Sequence, residues 1–367
     1  MSEWRPRVVV CGTGFGRVYL AGARRADAPV ELVGILARGS ARSRECARRY
    51  DVPLYTSVDQ LPDSVEMACV VVGSGINGGR GAQLAMELMA RGIHVLQEHP
   101  LHHDELAGCL RAARRHGVGY HLNTHYVHLD AVARFVAAAG RLRTEQPPLF
   151  VDAVGCVQVL YPLLDVIAAA LGGVRPWRFA DGPGTPVLRA VDGTVAGVPT
   201  TLRVQSQLDP RDRDNGGHVL LRITLGMSGG TLLLANPHGP VLWTPRLHMP
   251  PEYADAVDVL DCPAVSLDVP ALRWLTPPNT PSYREVVGEQ WPAATARALA
   301  GLRQAVLDGE DPLVRGQYHL ALCRLTADVM AALGRPEVVG SAVPDVAGAD
   351  RLLAGQLALS QFSPSAR

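Results

Sequence analysis

The stretch that most limits how this chain can fold lies near its start. Arg7-Val8-Val9-Val10-Cys11 runs straight into Gly12-Thr13-Gly14-Phe15-Gly16, and a helix-like segment follows over residues 17–25. An unbroken β-branched run reads as a strand buried on both faces, which belongs in a parallel sheet. The glycines permit a tight turn and close approach of backbone to a ligand. The first turn of the helix then offers unpaired N–H groups and a positive dipole end to an anion. The third glycine falls one place earlier than in GxGxxG, where Arg17 stands instead. A glycine turn with no ligand would also fit, but the strand–turn–helix setting favours a dinucleotide, with Gly12, Thr13, Gly14, Phe15 and Gly16 as its cradle.

A second strand, over residues 31–37, leads into Arg38-Gly39-Ser40-Ala41-Arg42-Ser43-Arg44. An NAD site would place a carboxylate near this strand end to accept from the ribose 2′-hydroxyl. Arginine forks and serine hydroxyls suit a 2′-phosphate instead, so Arg38, Ser40, Arg42 and Ser43 point to NADPH. The competing reading is a solvated helix start capped by Ser40. Further strands over 67–72, 94–98 and 119–123 alternate with helical stretches over 82–91 and 104–116. That alternation predicts right-handed βαβ units, an α/β Rossmann domain with a doubly wound parallel sheet. The loop over 73–79 falls at another strand end and places Ser74 beside the cofactor.

The fourth of these strands ends in Gln97-Glu98-His99-Pro100-Leu101, because proline has no N–H for the ladder. A Glu-His pair at a strand's carboxyl end faces the crevice where open α/β sheets bind ligands. After Asn123 the pattern changes. A helix is expected over 130–143, and Pro147-Pro148 breaks it. Strand-like runs follow over 149–156, 200–208, 218–227, 230–235 and 240–243, with glycine-rich turns between them. These predict a C-terminal α+β domain built on a mostly antiparallel sheet. Helices are expected over 163–171, 293–307 and 318–333, the last two packing on the body of the protein. The division is 1–125 for cofactor binding and 126–367 for substrate binding and dimerisation.

Formal charge is zero, with 35 basic and 35 acidic residues, which disfavours nucleic acid or an anionic membrane as partner. No apolar run approaches the roughly 20 residues of a membrane span. The N-terminus has no signal-peptide core, so a cytoplasmic location is expected. Seven scattered cysteines without CxxC spacing fit reduced, packed thiols. Every basic residue is arginine, so chemistry by a lysine is excluded. His121, His125 and His128 invite a metal reading, but a strand end does not bring all three to one face; no metal is expected.

The glycine-turn half, a Glu-X-Pro after the fourth strand and a mixed C-terminal half together resemble the glucose–fructose oxidoreductase and inositol dehydrogenase family. Within it the chain is most similar to the thiazolinyl imide reductases of siderophore biosynthesis. That closer resemblance rests on residues 39–44, Pro53-Leu54-Tyr55-Thr56-Ser57, Gln97-Glu98-His99-Pro100-Leu101-His102, Asn123-Thr124-His125-Tyr126 and Leu160-Tyr161-Pro162-Leu163-Leu164-Asp165, with a looser match at Gly239-Pro240-Val241-Leu242-Trp243. Sugar and polyol dehydrogenases of the broad family carry lysine where His99 stands. They also place aspartate and histidine at positions that fall here near Gln158 and Pro162.

The resemblance implies hydride transfer from NADPH to a thiazoline C=N, giving a thiazolidine, on an intermediate tethered to a peptidyl carrier protein. The ring nitrogen needs a proton as hydride arrives. The matched motifs assign that role to Tyr126 and His99, with Tyr126 preferred as acid and His99 assisting. Glu98 would anchor the loop or contact the nicotinamide side. The alternatives are a sugar or cyclitol dehydrogenase, disfavoured by the missing lysine and histidine, and a catalytically silent dinucleotide-sensing protein. A homodimer is the expected assembly.

Overall fold

The computed structural model describes residues 4–73, 79–182, 184–185, 187–212, 215–255, 257–258, 265–278, 281–340 and 348. Strand β1 (Arg7–Cys11) lies at the centre of a six-stranded sheet with β2 (Glu31–Leu36), β3 (Leu54–Tyr55), β4 (Met67–Val70), β5 (His94–Glu98) and β6 (Tyr120–Asn123). The order is β3-β2-β1-β4-β5-β6 and every pairing is parallel. Val8 to Cys11 are fully buried, Val9 and Cys11 against one helix layer and Val8 and Val10 against the other. Burial on both faces is why this strand is uniformly apolar. Helices α1 (Gly16–Ala23), α2 (Ala41–Tyr50), α3 (Arg80–Ala90) and α4 (His103–His116) make the connections. The strand order reverses between β1 and β4, which puts a ligand crevice off their carboxyl ends.

A 3-10 turn over Tyr126–His128 leaves this sheet and leads to α5 (Asp130–Glu145), β7 (Pro148–Cys156) and α6 (Leu160–Leu171). Then come β8 (Arg178–Asp181), β9 (Leu188–Val195), β10 (Val198–Gln205), β11 (Gln207–Leu208), β12 (Leu221–Met227), β13 (Gly230–Leu234) and β14 (Val241–Pro245). The chain closes with α7 (Pro251–Asp255), β15 (Arg273–Trp274), α8 (Tyr283–Glu285), α9 (Trp291–Leu307), α10 (Pro312–Leu333) and β16 (Glu337–Val338). The second sheet has eight strands in the order β15-β14-β13-β12-β7-β10-β9-β8. It is mostly antiparallel, as the turn-rich sequence implies, apart from the parallel pair β7 and β10.

The second sheet differs from the sequence reading on either side of β10, and several short elements, β3, β15, β16, α7 and α8, were not expected. The strand expected over 200–208 breaks at Ser206, and β11 leaves the sheet to pair with β16. Strands β8 and β9 lie outside the runs read as strands. In β9 only Val191 and Val195 are buried, so the strand carries little apolar signal.

The last long helices pack back on the first domain. A Cβ placed on Gly22 of α1 would lie 2.7 Å from Thr295 Cβ and 2.8 Å from Pro292 O of α9. Leu299 and Leu302 of α9 share a core with Val8, Val10 and Leu20. Helix α10 meets α4, where Gly316 sits against Leu110. Among the described residues no helix is long and apolar enough to cross a membrane.

Candidate active site

A cleft of about 1280 Å³ opens at the carboxyl ends of β1, β2 and β4. Its walls include Gly12, Thr13, Gly14, Arg38, Ser40 and Arg42. Gly12 is at φ +98°, and a Cβ there would lie 2.6 Å from the Val71 carbonyl oxygen, so only glycine fits. A Cβ on Gly14 would meet nothing within 4 Å; the space above this residue is open to a ligand. The shape suits a dinucleotide whose pyrophosphate rests on the N-terminus of α1. No carboxylate follows β2, where Leu36-Ala37-Arg38 line the cleft, although Asp59 and Glu87 stand on its far wall.

The other residues named for the cofactor are placed differently. Ser40 caps α2 by accepting from the Ser43 N–H at 3.1 Å, and the Ser43 hydroxyl donates to the Ser40 carbonyl at 2.9 Å. Ser43 is thus fully buried in the cap, while Ser40 both caps the helix and lines the cleft. Gly16 is the buried first residue of α1. Phe15 stands outside the cleft, with its ring against His125. Ser74 lies outside the described residues.

Glu98 and His99 close β5. Glu98 Oε2 accepts from the Tyr19 hydroxyl, and the Asn123 amide donates to Tyr19 Oη at 2.5 Å and to Glu98 Oε2 at 3.4 Å. Burial and the neighbouring Glu98 push the Tyr19 hydroxyl well above its ordinary pKa, so it stays a donor. Glu98 Oε1 lies 2.8 Å from His99 Nδ1. The oxygen sits off the N–H direction, so the two groups touch without an aligned hydrogen bond. The imidazole stacks on Tyr161 at 5.8 Å between centroids and 19° between planes. Tyr161 is seated in turn by Cys323 and His319 on α10. The imidazole is therefore held at one edge and on one face.

His125 stands out in the sequence as a metal candidate and within the Asn123-Thr124-His125-Tyr126 motif, with no catalytic role assigned to it. Its backbone is at φ 61° and ψ −51°, a sparsely populated region for a residue with a side chain. It is 2% exposed, and among the described residues neither ring nitrogen has a hydrogen-bond partner. Phe15, Trp291 and Tyr126 surround the ring at 5.5, 5.8 and 6.3 Å, all edge-on. Burial and then the neighbouring His128 push its pKa down to about 3, so the imidazole is neutral. Tyr126 follows directly at the start of the 3-10 turn that leaves β6, half-buried and packed against the main core.

Behind β6 is a second cavity, of about 330 Å³, lined by His121, Thr124, His128, Asp165, Tyr318 and His319 among others. Asp165 is 3% exposed and accepts from Thr124 Oγ1 and Tyr318 Oη, each at 2.5 Å. Burial lowers His121 to about 3 and His128 to about 4. Among the described residues no group of three or more His, Cys, Asp or Glu side chains is placed to hold a metal ion.

A cleft at the carboxyl ends of a doubly wound parallel sheet is where dinucleotides bind in this fold. Residues 6–124 match the oxidoreductase family with an NAD-binding Rossmann fold, and residues 146–244 match the C-terminal domain of Irp3-like thiazolinyl imine reductases. The chain thus carries a Rossmann domain of the NAD-binding oxidoreductase family and an Irp3-like C-terminal domain. Curated protein sequences contain no match to it. Solved structures do. GenD2 from gentamicin A biosynthesis, in complex with NAD, is 15% identical with a TM-score of 0.63, over 90% of this chain and 94% of that one. KijD10, a 3-ketoreductase from Actinomadura kijaniata in complex with TDP-benzene and NADP, is 17% identical with a TM-score of 0.63, over 92% and 100%. A putative myo-inositol dehydrogenase from Sinorhizobium meliloti is 14% identical with a TM-score of 0.62, over 89% and 97%. At these identities the likeness is one of fold.

Proposed function

We propose that this protein is an NADPH-dependent thiazolinyl imine reductase, reducing a thiazoline C=N to a thiazolidine. Its substrate would be a hydroxyphenyl-thiazolinyl intermediate held as a thioester on a peptidyl carrier protein of non-ribosomal peptide synthesis, as in siderophore assembly. The observation that carries this reading is the Irp3-like C-terminal domain joined to a site with His99 in place of lysine. The preference for NADPH is supported by Arg38 and Arg42, which line the cleft beyond β2 where a 2′-phosphate would lie.

Bound NADPH supplies a hydride to the C=N carbon. The chain's own residues supply the rest. Gly12 and Gly14 let backbone close on the pyrophosphate, and the N-terminus of α1 holds its charge. As the ring nitrogen gains electron density, it takes a proton from Tyr126, with His99 assisting from the neighbouring strand end. The Glu98 carboxylate lies 2.8 Å from His99 Nδ1 and orients that edge of the ring. Alcohol oxidation needs a base at the same place. Gln158 and Pro162 supply none where the sugar dehydrogenases of this family carry aspartate and histidine.

The test is turnover of a synthetic aryl-thiazoline thioester, followed by loss of the 340 nm absorbance of NADPH. Reduction of the thiazoline, lowered by His99→Asn and by Tyr126→Phe, is the expected result. Turnover of sugars or cyclitols with none of the thiazoline would overturn the reading. NADPH binding without oxidation by any of these would mark a dinucleotide sensor. A homodimer and a cytoplasmic site of action complete the proposal; sedimentation at micromolar concentration tests the dimer.

A further inference from the structure

We propose that Tyr19 is a positioning residue for His99, acting through Glu98. The inference rests on the reading above, in which His99 takes part in proton delivery. Tyr19 is separated from Glu98 by 79 positions in sequence and is fully buried on the first turn of α1, the helix whose N-terminus faces the dinucleotide cleft. A buried tyrosine in a core helix could be replaced by phenylalanine with little consequence if its hydroxyl had no task. Here the hydroxyl donates to one oxygen of Glu98, and Asn123 donates to both the hydroxyl and that same oxygen. Two donors on Oε2 fix the rotation of the carboxylate. The other oxygen, Oε1, is thereby left 2.8 Å from His99 Nδ1.

The consequence for His99 is specific. Oε1 lies against the Nδ1 edge of the imidazole, while Tyr161 stacked on the ring face sets its tilt. Proton delivery then falls to Nε2. His99 is also held by a group on the same short helix that seats the cofactor, so one element aligns hydride donor and proton donor. The sequence contains no sign of this, because Tyr19, Glu98 and Asn123 sit on three elements joined only by the strand order of the sheet.

The experiment is a double-mutant cycle in the intact protein, with the aryl-thiazoline thioester and NADPH as probes. Tyr19→Phe keeps the ring and removes the donor. It is expected to lower kcat about tenfold, as expected for a weakened proton transfer, while leaving KM and the Kd for NADPH within about twofold. In a His99→Asn background the same substitution should cost less than about twofold. Glu98→Gln, which keeps the shape and removes the charge, should show the same non-additivity and stands in if Tyr19→Phe does not fold. Equal losses in both backgrounds, or an unchanged kcat in Tyr19→Phe, would overturn the inference alone. A His99→Asn variant with wild-type kcat would overturn the proton-source reading and the inference with it.

Discussion

Stability of this protein should fall as the solution is acidified from pH 7.5 to 5, and His121 and His125 are among the buried histidines that set the slope. His121 and His125 are 7% and 2% exposed, and burial is the first cause that takes each from an ordinary value of 6.5 to about 3. A depressed folded pKa means that the native state refuses a proton that the unfolded chain accepts. Their contribution is therefore complete above pH 6.5 and is lost progressively as pH falls toward 3. At pH 5 the unfolded chain holds nearly a full proton on each imidazole and the native state almost none. The loss is about 2 kcal/mol per histidine, so about 4 kcal/mol for the pair, a large part of the stability of a typical domain. Urea unfolding at a series of pH values, without cofactor, measures it. Below pH 6 each histidine should contribute about 1.4 kcal/mol per pH unit to the slope. His121→Gln and His125→Leu should each remove one such contribution. A slope that neither substitution changes would refute the assignment, because it would mean that both side chains take up protons in the native state.

Other outcomes follow from the packing and the cleft. Gly14→Ala places a methyl group in open space, so stability should stay within about 0.5 kcal/mol while NADPH affinity falls at least about tenfold, read by fluorescence titration. Arg42→Ala should weaken NADPH binding about tenfold and leave NADH binding unchanged, since only the former carries a 2′-phosphate. Gly22→Ala should cost about 1–3 kcal/mol in urea unfolding, because the new methyl group meets the Thr295 side chain and the Pro292 carbonyl of α9. Tyr318→Phe removes one of two side-chain donors to the buried Asp165 carboxylate and should destabilise by about 1.5–3 kcal/mol in the same assay.

Much of the first domain was legible because its signals are local. A strand buried on both faces must be apolar along its whole length, a Gly12 turn admits no side chain, and these two facts with the helix that follows imply the parallel sheet. The Glu98-His99-Pro100 strand end and the Arg38–Arg42 region were visible for the same reason. Strands β8 and β9 were not, since a half-exposed strand with charged residues and few buried positions looks like loop. Nor was the end of β10 at Ser206, where the change of sheet depends on pairing with a segment 130 residues later in the chain. Ser43 shows a limit of the motif itself: a hydroxyl at the right spacing for phosphate is turned inward by the helix cap.

The sequence by itself determined the Rossmann half, the crevice at its strand ends and the absence of lysine chemistry, because periodicity, glycine and residue type are properties of short stretches. Only the tertiary structure decided which groups surround the imidazoles. It brought Tyr19 and Asn123 onto Glu98, laid Tyr161 on His99, and enclosed His125 between Phe15 and Trp291. Those contacts join residues up to 276 positions apart, as Phe15 and Trp291 are (291 − 15). Hydrogen bonding and burial act over a few ångströms in space, and separation along the chain does not reveal which side chains will share them.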